Sequence, residues 1–256
     1  MQADTQSTGG VAVEASVPLQ VRLGNFLFRY RNAIGPVLFL LALAAADPRD
    51  PFGSPALGYL AAATGLFFAL AGGAVRIFTI GFEYIERGGR NRKVYASKLV
   101  QGGVFDHCRN PLYLGNVLIC VGLALVARSS AFYVLIPIVL FAYSCIVAAE
   151  EAYLQDKFGG EYLAYCGRVR RWWPRWTGWG ATLEGMRFNW GRVLVKEYNT
   201  ILVLVLSLGL LWLWRRYMMV GLSAVPHPAL LATAFCAWSG VYLFTRWLKK
   251  SGTVKG

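Results

Sequence analysis

Arg109-Asn110-Pro111-x-Tyr113-x-Gly115 leads into an apolar run over 112–127, Arg128-Ser129-Ser130 breaks it, and a second run over 131–149 closes on Glu150-Glu151. A connection this short makes the two helices antiparallel neighbours. Sixteen helical residues rise only ~24 Å, at ~1.5 Å each, so both open ends of the hairpin belong at one headgroup level. Asn110 and Tyr113 are thereby expected beside Glu150 and Glu151, although the sequence holds them far apart. Paired acids at the mouth of an apolar hairpin are costly in lipid and mark a functional site.

The rest of the chain agrees with a membrane setting. Its 256 residues are 56% apolar and its mean hydropathy is +0.45, outside the range of an ordinary soluble domain. A span needs ~20 apolar residues to cross a hydrocarbon core of roughly 30 Å. Six segments qualify or nearly so, near 34–46, 57–80, 112–127, 131–149, 199–219 and 228–247. The first and third are short and are expected to extend into interfacial residues. The expected class is all-α, a polytopic helical membrane protein with about six transmembrane helices, because backbone groups in lipid must be paired within each segment.

Lysine and arginine placement sets the orientation. The loop 81–111 carries Arg87, Arg90, Arg92, Lys93, Lys98 and Arg109, and 150–198 adds a further eight cations, whereas the opposite side has Arg49, Arg128, Arg215 and Arg216. Both termini and both large loops are therefore expected in the cytoplasm. The formal charge of +13 follows from this asymmetry; it fits anionic headgroups of the bilayer rather than nucleic acid. Residues 1–20 lack both a basic start and an apolar stretch, so no cleavable signal is expected. Four parts are read: a polar leader and interfacial helix at 1–33, a hairpin at 34–80, a core at 81–175, and a connector with a second hairpin at 176–256. The cysteines at 108, 120, 145, 166 and 236 show no C-x-x-C spacing, and His107 and His227 stand far apart, so no metal site is expected.

Each motif also has a purely architectural reading. Asn110 suits an N-cap and Pro111 the first helical position, which leaves Arg109 and Tyr113 unexplained. Gly115, one turn into the helix, admits a close neighbour, either a helix or a ligand. Glu150-Glu151 could be solvated or paired with the arginines at 168–171. Successive helical residues diverge by ~100°, so the two acids do different work: one can face a cavity while the other pairs with arginine. Phe158, Tyr162 and Tyr165 fit a packed face, and Trp172, Trp173, Trp176 and Trp179 among arginines fit an interfacial belt.

Taken together, Leu99-Val100-x-x-Gly103-x-Phe105-x-x-x-Arg109-Asn110-Pro111-x-Tyr113-x-Gly115, the acid pair, and the tail Phe158-Gly159-x-x-Tyr162-x-x-Tyr165-x-x-x-Val169-x-Arg171-x-x-Pro174 resemble one group. It is that of the membrane-embedded methyltransferases, which includes isoprenylcysteine carboxyl methyltransferase and the phospholipid N-methyltransferases. The resemblance covers roughly 99–174. It implies S-adenosylmethionine bound at this end of the hairpin, with Arg109, Asn110, Pro111, Tyr113 and Gly115 toward the adenosine. Glu150 or Glu151 would meet the methionyl amine, Tyr162 and Tyr165 would close the pocket, and Arg168 or Arg171 would shape it or meet the acceptor. Glu150, Glu151 and Arg171 are the catalytic candidates. Carboxyl methyltransferases usually have His-Pro where this chain has Asn110-Pro111, a form closer to some phospholipid methyltransferases.

Methyl transfer from a sulfonium depends mainly on alignment, and water exclusion preserves that geometry. The expected acceptor is a lipid-like or hydrophobic small molecule entering from the bilayer, with the site facing the cytoplasm. An NADPH-dependent reductase of the sterol reductase type, with Arg90, Arg92 and Lys93 toward a 2′-phosphate, is a second reading. A transporter or assembly factor is a third, against which only Arg76 falls within a span. The oligomeric state is left open.

Overall fold

A computed structural model describes residues 17–83 and 94–251. The polar leader's Asp4 and Glu14, and Arg87, Arg90, Arg92 and Lys93 of the central loop, lie outside the described residues. Within them the chain is all helical: α1 (Leu19–Ala44), α2 (Pro55–Phe82), α3 (Pro111–Ala127), α4 (Ser130–Arg168), α5 (Trp179–Leu183), α6 (Trp190–Val220) and α7 (Pro228–Ser251). Two single-turn 3₁₀ helices, Gly103–Asp106 and Leu222–Ala224, stand between them. Helices α1, α2, α4, α6 and α7 are long and apolar enough to cross a membrane. The sixth expected segment, α3, is apolar but 17 residues long.

Two boundaries differ from the sequence reading. The stretch expected as a separate interfacial helix runs unbroken into the first span, and α1 begins at Leu19. Pro36 lies inside it without ending it; neighbouring helices let a membrane helix tolerate the lost hydrogen bond. At the other side, α4 continues past Glu151 to Arg168, interrupted at Gly159, where φ is +52° and ψ −124°. A left-handed φ is open to glycine at little cost, and it re-aims the last turns of the chain. Tyr162 and Tyr165 project from that re-aimed piece and are each 3% exposed, packed with Val169 against Leu99 and Phe105.

The helices pack through small residues. Helices α2 and α3 form the largest interface, and a Cβ added to Gly72 would lie 2.5 Å from the Gly115 carbonyl oxygen. One added to Gly122 would lie 2.5 Å from the Gly65 carbonyl oxygen. The glycines lie seven positions apart on each helix, so the pairs recur on one face and the backbones touch, the small-residue packing of membrane helices. Gly24 does the same for α1 against Cys145 of α4. Helix α6 lies on α2 and α3, and α7 packs chiefly on α6, where Trp238 donates to the Leu202 carbonyl at 3.0 Å.

Two ionic clusters mark the two ends. At one, Asp50 between α1 and α2 accepts from Arg128 (Nε, 2.7 Å) and from Arg215 of α6 (3.3 Å). Arg128 takes a left-handed conformation, φ +51°, and ends α3 just before α4 begins. At the other end, Arg76 of α2 grips Glu197 of α6 with both carboxylate oxygens engaged, at 2.9 and 3.0 Å. The same guanidinium donates to the Leu112 carbonyl, Asn116 and Thr200. The start of α3, the end of α2, the start of α6 and Glu150 therefore share one level.

Candidate active site

The ends of the α3–α4 hairpin meet through side chains. Tyr113 donates its hydroxyl to Glu150 Oε1 at 2.6 Å, and Tyr113 rests against the Tyr143 ring with centroids 5.8 Å apart. Glu151, one residue on, points into a different set of partners. Arg171 pairs with its Oε2, Arg109 lies 3.6 Å from its Oε1, and Asn110 donates to the same oxygen at 3.4 Å. The acids thus separate by role: Glu151 ties the start of α3, the body of α4 and the tail beyond it into one knot, while Glu150 accepts from the Tyr113 hydroxyl.

Asn110 occupies the N-cap position of α3, yet its side chain makes no capping hydrogen bond. Its amide instead bridges Glu151 and the Arg171 carbonyl, 3.3 Å away. Pro111 takes the first position of the helix.

A hollow of about 190 Å³ lies against this knot, lined by Arg109, Asn110, Glu150, Glu151, Tyr162 and Tyr165, with Phe28 of α1 and the segment 94–100 completing it. Three sequence candidates stand elsewhere. Tyr113 faces a second hollow across Glu150. Pro111 borders an apolar recess with Phe78, Cys108 and Trp179. Gly115 meets Gly72 and Arg76 of α2, so its close neighbour is a helix. Arg171, its side chain 44% exposed, reaches the knot from outside, and Arg168 binds Gln101 at 3.0 Å.

The tail holds the segment before α3 in place. Tyr165 donates to the Phe105 carbonyl at 2.8 Å. The Arg109 amide donates to the Arg170 carbonyl at 3.0 Å and the Arg175 amide to that of His107 at 2.8 Å. His107, 1% exposed, stacks on Trp179 at 3.6 Å and lies 2.9 Å from Thr182 Oγ1 through Nε2. Trp173 and Trp176 are exposed as a belt would require, but Trp179 belongs to this anchor. Burial pushes the neighbouring Cys108 thiol up to about 11, so it stays protonated and inert at neutral pH.

The lining suits a cationic nucleoside. Glu150 offers a carboxylate to an ammonium, and aromatic and aliphatic faces from Phe105, Tyr162, Leu99 and Leu154 offer a bed for a base. Arg109 Nε is buried without an acceptor among the described residues, a donor left over beside the hollow. The sequence reading missed Phe28 as a wall and missed the Arg76–Glu197 pair altogether. Glu197 lay outside the expected span, and 121 residues separate it from its partner.

Residues 55–161, which run from the start of α2 to just past Gly159, match the family model described as phospholipid methyltransferase. Searches of curated proteins and of solved structures returned no match. The matched segment contains Arg109–Gly115, Tyr113 and both acids, and it ends before Tyr162. Over residues 55–161 the chain is therefore similar to the phospholipid methyltransferase family, a family of membrane methyltransferases.

Proposed function

We propose that this protein is an integral membrane S-adenosylmethionine-dependent methyltransferase acting on a lipid-like acceptor, with its site on the cytoplasmic face. The observation that carries the reading is the Tyr113–Glu150 hydrogen bond at the wall of the hollow, inside the segment that matches the family. When bound, S-adenosylmethionine would supply an electrophilic methyl group, transferred to the acceptor's lone pair as the carbon–sulfur bond breaks and S-adenosylhomocysteine leaves. Glu150 binds the methionyl ammonium, and Tyr113 fixes the direction of that carboxylate. Glu151 keeps Arg109, Asn110 and Arg171 in register, so the rim is built before the ligand arrives. Tyr162 and Tyr165 exclude water on the side of the tail. The hollow is smaller than the ~300–1,000 Å³ of typical ligand sites, and the segment 94–100 forms part of its wall.

The chain need not supply much bond-making chemistry, because positioning dominates such a displacement. An amine acceptor must lose a proton, and Glu150 through Tyr113 is the acceptor of that proton nearest the second hollow. The family match and Asn110, where carboxyl methyltransferases usually carry histidine, favour phospholipid N-methylation over prenylcysteine O-methylation. The excess of lysine and arginine at this end of the helices supports the cytoplasmic placement.

The test has two parts. Purified protein in detergent should bind S-adenosylhomocysteine at micromolar levels, and membranes given methyl-labelled S-adenosylmethionine should form a labelled lipid that is lost with Glu150→Ala. NADPH raising the thermal midpoint where S-adenosylhomocysteine does not would overturn the assignment in favour of a reductase.

A further inference from the structure

Seven consecutive residues, 94–100, form one side of the hollow that Glu150 and Glu151 border, and they run outside any helix. Ser97 and Lys98 are exposed and the other five are half-buried. Helix α4 fastens this stretch at two points. At the first, Lys157 donates its ammonium to the Ala96 carbonyl. The same Nζ lies 5.0 Å from the centre of the Tyr95 ring, 5.5 Å from that of Phe158 and 5.9 Å from that of Tyr153. At the second, Gln101 donates to Glu161 at 2.7 Å and accepts from Arg168 at 3.0 Å.

Lys157 is exposed, and a hydrated ammonium gains only modestly from each ring it covers. A segment fastened by such contacts opens at lower free energy than the packed helices around it. The far end of the stretch can turn. Gly102 has φ +87° and ψ 177°, a backbone region essentially reserved for glycine, and a Cβ added there would meet nothing nearer than 3.9 Å. Gly103, next to it, is fixed: a Cβ there would run into the Glu83 carboxylate, and Tyr165 holds the Phe105 carbonyl of the same 3₁₀ turn at 2.8 Å. Rotation at Gly102 therefore moves 94–101 and leaves the turn that leads to Arg109 and Asn110 in place.

At about 190 Å³ the hollow is too tight for a ligand of nucleoside size, which ordinarily takes ~300 Å³ or more, so one wall has to give. The stretch 94–101 is the wall with a pivot and a releasable fastening. We propose that residues 94–101 are a strap over this hollow, pivoting at Gly102 and latched by Lys157, whose release sets the rate at which the cofactor enters and leaves. Lys157 is then a positioning residue, acting through the strap rather than on the ligand. This rests on the methyltransferase reading for the identity of the ligand; the latch stands on its own contacts.

The experiment compares wild type, Lys157→Met and Lys157→Arg as full chains in detergent, with two readouts. The first is the rates of S-adenosylhomocysteine association and dissociation by stopped flow. Lys157→Met should raise both rates about tenfold, the worth of one cation–aromatic fastening with its hydrogen bond. The equilibrium affinity should stay within about twofold, which also shows that the variant is folded, and Lys157→Arg should return both rates toward wild type. The second readout uses ligand-free protein carrying Leu99→Cys, at a half-buried strap position packed on the Tyr162, Tyr165 and Val169 cluster. Its thiol should react with N-ethylmaleimide about tenfold faster when Lys157→Met is also present, read from the mass of the peptide bearing position 99. Faster dissociation with affinity falling in step marks a ligand contact or a damaged pocket and overturns the latch, as do unchanged rates or unchanged labelling. If wild type ignores S-adenosylhomocysteine while the labelling still quickens, the donor reading falls and the latched strap stands.

Discussion

Glu150 and Glu151 are neighbours in the chain and opposites in circumstance. Glu151 has two arginines and an amide on its oxygens, so Glu151→Gln should act on the fold. Its thermal midpoint should fall by an amount equivalent to about 1–3 kcal/mol, since charged hydrogen bonds at a mostly buried group are lost. Glu150→Gln removes charge but keeps an acceptor for Tyr113. It should leave the midpoint nearly unchanged and weaken S-adenosylhomocysteine binding about tenfold or more, the loss of one charge-assisted contact. A scanning calorimeter and a binding titration on both variants check this, and the same response from the two would refute the division of labour. That the two acids differ was legible in the sequence, because adjacent helical positions diverge. Which acid does what was not, since it depends on Arg171 returning along a chain that turns at Gly159.

At the scale of elements, the hairpin and its short turn could be read from length and turn composition, and the structure joins their ends as that reading required. The glycine seam could not. Gly65, Gly72, Gly115 and Gly122 are scattered small residues until α2 is laid against α3. Gly122→Val should push the helices apart at the Gly65 carbonyl and cost about 1–3 kcal/mol as over-packing, measurable as earlier loss of the folded band in heated detergent samples. The same substitution at Gly209, where an added Cβ meets nothing within 4 Å, is the control and should be silent. A helix before the first span was legible, but not its continuity with that span, because Arg22, Arg29 and Arg31 lowered the apparent hydropathy of a stretch that is one helix from Leu19.

Across the whole molecule, the two ionic clusters brace opposite ends of the helices. Arg76→Ala takes the paired guanidinium away from Glu197, which is 1% exposed, and breaking a buried ion pair costs about 3–5 kcal/mol. Limited proteolysis should then cut the connector between 176 and 189 faster than in the wild type, while a paired Arg76→Met/Glu197→Leu variant should recover most of the resistance. Arg128 and then Arg215 hold the Asp50 carboxyl below its ordinary value of 3.8. A carboxylate with a lowered folded pKa stabilises fully above its unfolded value and less as pH falls through the folded one. The gap in thermal midpoint between wild type and Asp50→Asn should therefore be constant near neutrality and shrink below about pH 4. With Asp50 clamped there and only Arg128 and Ser129 between α3 and α4, those helices have no slack at that end. They can part only like tongs closed at the rivet, with the widest swing at Tyr113 and Glu150, so the passage by which a ligand comes and goes is confined to the far tips.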